Sequence, residues 1–299
     1  MTPPASPARP VLLFGAGGQL GSELAPRLQA LGTVVALDRS EADFNSPDSL
    51  RPLVRALRPW LVVNAAAYTA VDAAEGDTES CLRVNAEAPE VLAEETALLG
   101  VPLIHFSTNY VFDGRLGRAY REEDGPDPLS VYGRSKLLGE VAAAANPAHL
   151  ILRLAAVYGS AGRSFVRRIL DLSREREELR VVEDQFVAPT PASAVAAAVL
   201  GMVGGLLDGT HELRSGVYHL TCSGETSWYG FAERILALDP VPETQRVQRL
   251  VPVTSEEFGA AAARPRNGLL DCGRCARELG ITLPDWESEL ERMLAGHAR

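Results

Sequence analysis

The sequence predicts an α/β protein: a doubly wound parallel sheet followed by a smaller, irregular C-terminal domain. Three observations lead there. A short apolar run, Val11–Phe14, ends in a glycine-rich turn and passes into helical spacing over 23–31. From there to Leu154, apolar runs alternate with helix-periodic segments. That is the pattern of βα units, which pack as a parallel sheet with right-handed crossovers. Beyond Tyr158 the regularity lapses.

The first unit is strand, glycine turn, helix. Gly15, Gly18 and Gly21 permit a tight turn, close approach of a pyrophosphate and close helix–sheet packing. The helix N-terminus offers unpaired N–H groups to phosphates. This arrangement is of the Rossmann, dinucleotide-binding type. The second strand, 33–37, ends at Asp38 and Arg39. An acid about 20 residues past the glycines suits a ribose 2′-hydroxyl, whereas an arginine suits a 2′-phosphate. Asp38 and Arg39 therefore leave NADH and NADPH both open. Asp43 and Phe44 are expected to end a third short extended segment, with Phe44 lining the adenine pocket. A helix over 47–57 follows. The buried strand over 61–67 runs into small residues that let backbone lie against a cofactor. Residues 68–72 continue as a loop, and 75–99 is expected as one helix.

The strand over 101–106 ends in Ser107, Thr108, Asn109 and Tyr110. Hydroxyls at the carboxyl end of a parallel strand face the ligand crevice, so Thr108 can hydrogen-bond a substrate carbonyl. After a polar loop over 114–130, a helix to Ala145 carries Tyr132 and Lys136. Of the 29 lysines and arginines, Lys136 alone is a lysine. A planar guanidinium does not replace a compact ammonium, which marks the position. Residues i and i+4 share a helix face, so phenol and ammonium can point into one site. The ammonium is expected to lower the phenol's pKa towards the range of a working proton donor or acceptor.

A strand over 150–154 closes the regular part. Helices over 165–176, 192–207 and 228–238 then alternate with short strands at 181–183 and 216–220. Thr226 or Ser227 caps the last of these helices. A basic loop over 263–267 presents Arg264 and Arg266, which suit a substrate diphosphate. We divide the chain into a flexible leader over 1–10, a dinucleotide-binding Rossmann domain over 11–160 and a mainly substrate-binding domain over 161–299. Part of 185–220 is expected to return to the first sheet.

Composition bounds the function. The chain has 299 residues, enough for a sizeable core, and is 46% hydrophobic and 23% charged, as soluble globular proteins are. A net charge of −10 argues against nucleic acid or an anionic membrane as partner. No run of about 18 apolar residues exists to span a membrane. The first ten residues hold four prolines and no apolar stretch, so they do not read as a signal peptide. Four cysteines are sparse usage, fitting a reduced, cytoplasmic protein. Cys272 and Cys275 form a CxxC with no second pair or nearby histidine to complete a zinc set, so we read it as structural.

The stretches LLFGAGGQLGSEL, VVNAAAYTAVD, FSTNYVFDG, VYGRSKLLGE, DQFVAPT, SGETSWYGFA and ARPRN, in this order, span residues 12 to 267. In them the chain resembles the dTDP-4-dehydrorhamnose reductase family, a group of extended short-chain dehydrogenase/reductases. The resemblance covers roughly 11–294. It implies NAD(P)H-dependent reduction of the C4 keto group of dTDP-4-dehydro-6-deoxy-L-mannose to dTDP-L-rhamnose by a Thr108–Tyr132–Lys136 triad. Tyr132 would protonate the C4 oxygen as hydride arrives, and Lys136 would hold the nicotinamide ribose. Gly18, Gln19, Leu20, Asp38, Asp43, Phe44, Ala66, Ala67 and Tyr68 would line the cofactor. Three positions depart from the family pattern. Asn109 stands where an Asp is usual, Ala156 where many members have a sugar-contacting Trp, and Val187 where a Gly is usual. They leave open a reductase of another nucleotide sugar, or a non-catalytic subunit like the beta subunit of methionine adenosyltransferase. Metal use stays open, as does the choice between monomer and homodimer.

Overall fold

The computed structural model describes residues 9–159, 162, 164–210 and 212–296. The leader expected over 1–10 falls almost wholly outside them. In chain order the first elements are β1 (Val11–Phe14), α1 (Gln19–Leu28), β2 (Val34–Leu37), α2 (Leu50–Leu57), β3 (Leu61–Asn64), α3 (Val71–Ala74), α4 (Thr78–Leu82), α5 (Ala88–Leu99), β4 (Leu103–Thr108), α6 (Val131–Ala143) and β5 (His149–Leu154). Next come β6 (Val157–Tyr158), α7 (Phe165–Glu175), β7 (Glu178–Val182), β8 (Phe186–Val187), β9 (Thr190–Pro191), α8 (Ala192–Asp208) and β10 (Gly216–His219). The last are β11 (Thr226–Ser227), α9 (Trp228–Ala237), β12 (Arg249–Val253), α10 (Ser255–Phe258), α11 (Gly273–Leu279) and α12 (Trp286–Gly296).

The central sheet has six strands in the order β10-β5-β4-β3-β1-β2, all parallel. Its strands are apolar on both faces, as a sheet covered by helices on both sides must be. Val11 and Leu13 of β1 and Leu61 and Val63 of β3 join Leu24 of α1 and Val195 and Val199 of α8 in one layer. Leu12, Phe14 and Val62, pointing the other way, meet Val54 of α2 and Leu92 of α5. A separate core of Tyr158, Phe231, Ile235, Trp286 and Leu290 organises the C-terminal part. Around it lie three two-stranded sheets, β7–β12, β8–β11 and β6–β9. No helix of the described residues is long and apolar enough to cross a membrane.

Two expected elements differ. Asp43 and Phe44 end no strand. The Asp43 carboxylate accepts from the Asn45 N–H (3.0 Å) and the Ser46 hydroxyl (3.2 Å), folding the segment into a turn. β2 stays the edge of the sheet, and no strand of the described residues pairs with its outer side. The expected helix over 75–99 is broken into α4, a π-helical turn at Arg83–Glu87 and α5. Gly76, bonded back to the Ala73 carbonyl, ends α3 and separates it from α4. The wide turn carries Asn85 against α6: a methyl group added at Gly139 would lie 2.1 Å from the Asn85 carbonyl oxygen.

Candidate active site

The carboxyl ends of β1 to β5 open into one cleft of about 960 Å³. That is where open α/β sheets bind their ligands. At one end lies the glycine turn. Gly15 has φ +80°, and a Cβ there would sit 2.5 Å from the Ala66 N; a Cβ at Gly21 would sit 2.0 Å from the Gly15 oxygen. Only glycine fits either place. Gly18, Gln19 and Leu20 line the cleft as α1 begins, and no side chain caps that helix. Asp38 and Arg39 follow at the end of β2. The Ser40 N–H (2.7 Å) and hydroxyl (2.6 Å) donate to the Asp38 carboxylate and hold its pKa below the usual value. Asp43 and Phe44 also line the cleft, Phe44 packed edge-on against Phe14 at 5.5 Å.

Ala66, Ala67 and Tyr68 form the opposite wall, braced by two buried amides. Asn64 accepts from the Ala66 N–H at 3.1 Å, and its own amide meets His105 Nδ1 at 3.1 Å. Asn85 accepts from the Tyr68 N–H (2.9 Å) and donates to the Tyr68 carbonyl (3.0 Å) and to Ser135 (3.0 Å). Neither asparagine was marked by sequence reasoning. The signal was present, a polar amide at the end of an apolar strand and another inside an apolar helical stretch.

The far end of the cleft holds Thr108, Asn109, Tyr132, Lys136 and Ala156 together. Ser130 caps α6 by accepting from the Gly133 N–H at 3.1 Å. Gly133 rides against the Tyr110 carbonyl, where a Cβ would come within 2.3 Å. The cap and this close approach set Tyr132 edge-on to Tyr110, centroids 5.6 Å apart, in the part of the cleft that Thr108 also lines. Lys136 Nζ donates to the Phe106 carbonyl at 2.6 Å. Beneath it, Glu140 is gripped by Arg153 (2.8 and 2.6 Å) and accepts from the Ser107 hydroxyl at 2.5 Å.

Electrostatics correct one expectation. Burial pushes the Tyr132 phenol well above the usual tyrosine range, only partly opposed by the nearby Thr108 hydroxyl. Lys136 does not draw it down. Burial instead lowers Lys136 itself to about 8, against the pull of Glu140. Tyr132 is therefore a neutral phenol at neutral pH.

Arg264 and Arg266 do not line the cleft. Arg264 binds the Asp72 carboxylate through both terminal nitrogens (3.0 and 2.7 Å). Arg266 is 76% exposed, 3.7 Å from Asp184. The lining residues outside the expected set include Val187 and Trp228, whose indole packs on Phe165 at 4.6 Å. Ala156 has φ +43°, a left-handed backbone unusual for a residue with a side chain. Cys275 is buried in the core and Cys272 Sγ accepts from the Thr221 N–H at 3.3 Å. No metal-binding cluster occurs among the described residues.

Known proteins share this architecture. Residues 9–298 match the family described as the RmlD substrate binding domain. The dTDP-4-dehydrorhamnose reductase of Burkholderia thailandensis is 44% identical, with 92% of this chain and 95% of that one aligned. The Escherichia coli K12 enzyme of the same name is 38% identical over 95% and 96%. A crystal structure of dTDP-4-dehydrorhamnose reductase from Bacillus anthracis in complex with NADP superposes with a TM-score of 0.86 at 33% identity, covering 96% of this chain and 99% of that one. A glycine turn, a strand-end threonine and a Tyr–Lys helix in one cleft, together with these matches across nearly the whole length, place the chain in the dTDP-4-dehydrorhamnose reductase family.

Proposed function

We propose that this protein is an NAD(P)H-dependent reductase that converts the C4 keto group of dTDP-4-dehydro-6-deoxy-L-mannose into the hydroxyl of dTDP-L-rhamnose. The observation that carries the reading is one cleft with Thr108, Tyr132 and Lys136 together at one end and the glycine turn at the other. The backbone cradle fits a dinucleotide. Gly15 and Gly21 leave no room for side chains, and the alanines at 65, 66 and 67 present a wall of backbone. Gly15, Gly18, Gln19 and Leu20 would take the pyrophosphate, Asp38 and Arg39 the adenosine ribose, Asp43 and Phe44 the adenine end, and Ala66 to Tyr68 the nicotinamide half. The bound cofactor supplies hydride to the carbonyl carbon.

The residues of this chain do the rest. Thr108 and Tyr132 hydrogen-bond the carbonyl oxygen, and negative charge develops between them as the carbonyl is reduced. The Tyr132 proton moves to that oxygen. A phenol held neutral by burial is in the right protonation state to give it. Lys136, anchored on the Phe106 carbonyl, places a cation beside the phenolate that remains and beside the cofactor ribose. The net charge of −10 and four free cysteines support a soluble, cytoplasmic enzyme of a small nucleotide-sugar substrate. Ala156, Val187 and Asn109 at the sugar end favour, as second reading, a different dehydro-sugar of the same nucleotide class.

The test is oxidation of NADPH and NADH by the purified protein with dTDP-4-dehydro-6-deoxy-L-mannose, and identification of the product sugar. Absence of turnover with this compound, but turnover with another dehydro-sugar nucleotide, selects the second reading.

A further inference from the structure

Three neighbouring strands carry polar side chains in one row at the cleft end of the sheet. Ser107 of β4 pairs in register with Arg153 of β5, and Arg153 with His219 of β10. All three are buried, and so is Glu140 of α6. The Glu140 carboxylate accepts from the Ser107 hydroxyl (2.5 Å) and from Arg153 Nε (2.8 Å) and Nη2 (2.6 Å). Arg153 is held on its other side as well. Its guanidinium lies 5.0 Å from the centre of the Phe112 ring, and Nη1 is 3.4 Å from His219 Nε2. His219 Nδ1 faces the Tyr120 carbonyl at 3.1 Å and so carries the ring proton, which leaves Nε2 to accept. One turn earlier on α6, Lys136 Nζ donates to the Phe106 carbonyl at 2.6 Å. The peptide that joins Phe106 to Ser107 is thus tied to α6 twice, at its carbonyl oxygen and at the next side chain. Thr108 follows as the last residue of β4.

We propose that Glu140 is a positioning residue for the reduction: through Ser107 it fixes the end of β4 against α6, and so the place of Thr108 relative to Tyr132 and Lys136. The inference rests on the proposed roles of those three residues. Stability alone does not explain the arrangement, since a buried ion pair is often no more stabilising than apolar side chains of similar volume. What apolar side chains lack is an acceptor for the Ser107 hydroxyl. That acceptor makes a directional bond between the helix that carries Tyr132 and the strand that carries Thr108. Small displacements of a reacting group matter, since misplacement by about 1 Å lowers rates on the order of 10²-fold. Thr108 is exposed to such a shift because the β4–β5 ladder ends with it.

The test uses two variants of the full chain. Ser107→Ala removes the link and leaves the Glu140–Arg153 pair in place. It should unfold in urea close to the parent and lower kcat on the order of 10- to 100-fold. The KM for NADPH and for the nucleotide sugar should stay within about threefold. The second variant, Glu140→Leu with Arg153→Met, replaces the pair by apolar side chains. It should be more stable than Arg153→Met alone, yet its kcat should stay as low as that of Ser107→Ala. Should the double replacement unfold, Ser107→Ala decides alone. Ser107→Ala with kcat within about threefold of the parent overturns the proposal. So does a double replacement with the parent's kcat, because the pair would then serve stability only. A raised KM with kcat intact in Ser107→Ala would make Ser107 a substrate ligand, and overturns it too. A further readout needs no turnover: amide hydrogen exchange in peptides covering 106–110. In Ser107→Ala exchange there should quicken while β1 and β2 keep the parent's rates. Unchanged exchange at 106–110 overturns the positioning role even if the parent reduces no sugar, a failure that would fall on the proposed function alone.

Discussion

Lys136 Nζ lies 2.6 Å from the carbonyl oxygen of Phe106, two residues before Thr108 on the same strand. The helix that carries the proposed proton donor, Tyr132, is thereby tied to the strand that carries Thr108. The bond runs from a side chain on α6 to backbone in the middle of the sheet, so the tie is set by the fold and not by a mobile loop.

Tyr132→Phe removes the proposed donor and keeps the ring. Loss of a general acid should lower kcat on the order of 10²- to 10⁴-fold, with dinucleotide affinity close to that of the parent. Steady-state kinetics and a fluorescence titration with NADPH check it. Activity within tenfold of the parent would remove Tyr132 from the mechanism.

Lys136 is the only side-chain amine, and burial brings its pKa from 10.5 to about 8. The neutral, nucleophilic form is the deprotonated one, so reaction with an amine-directed reagent should rise as pH passes about 8, well before an ordinary lysine would respond. Mass spectrometry should show Lys136 labelled together with loss of activity, and saturating NADPH should protect both. The same shift has a stability sign. The folded protein holds the Lys136 proton less tightly than the unfolded chain, so stability rises with pH between about 8 and 10.5 on account of this group.

Arg39→Ala should spare NADH and impair NADPH, because a 2′-phosphate would lose its charged partner while a 2′-hydroxyl still finds Asp38. Hydrogen bonds to charged groups contribute about 1.5–3 kcal/mol, so the NADPH KM should rise roughly 10- to 100-fold. Initial rates with both cofactors decide it. Equal losses would show that Arg39 is not at the 2′ position.

Arg153→Met leaves the Glu140 carboxylate buried with only the Ser107 hydroxyl from its present set. Breaking a buried pair by removing one partner costs about 3–5 kcal/mol. Urea denaturation should show a fall of that size, and Glu140→Gln should show a similar one. A change under about 1 kcal/mol would mean that the pair is not as dry as its 5% exposure on each side indicates.

Most of the cleft was legible because its parts are written in backbone chemistry. Gly15 must be glycine for its positive φ, Thr108 must end a strand, and Tyr132 and Lys136 must share a helix face. What stayed hidden depends on partners distant in sequence. Arg264 reads as a free cation beside a crevice, and nothing local shows that Asp72, far earlier in the chain, occupies it. Spacing suggested that Lys136 would lower the Tyr132 phenol, but the phenol's burial, which dominates, is a property of the packed site. Asn85 stood out only as an amide inside an apolar helical stretch, and the partners that give it a role come from a π-helical turn packed against Gly139. The left-handed Ala156 is a similar case, since alanine gives no advance notice of positive φ.

The β5 edge of the central sheet is covered by Gly216–His219, and the apolar side of α1 by α8, both of which are synthesised after the C-terminal part has begun. A ribosome that has released only residues up to Tyr158 has therefore produced a sheet with a bare edge and a layer of leucines open to water. Such a nascent chain is a template for wrong strand pairing until the later strand arrives. Expression of the N-terminal half alone should yield aggregates and not a small, soluble nucleotide-binding module. Fragment complementation should work better when the break falls after His219.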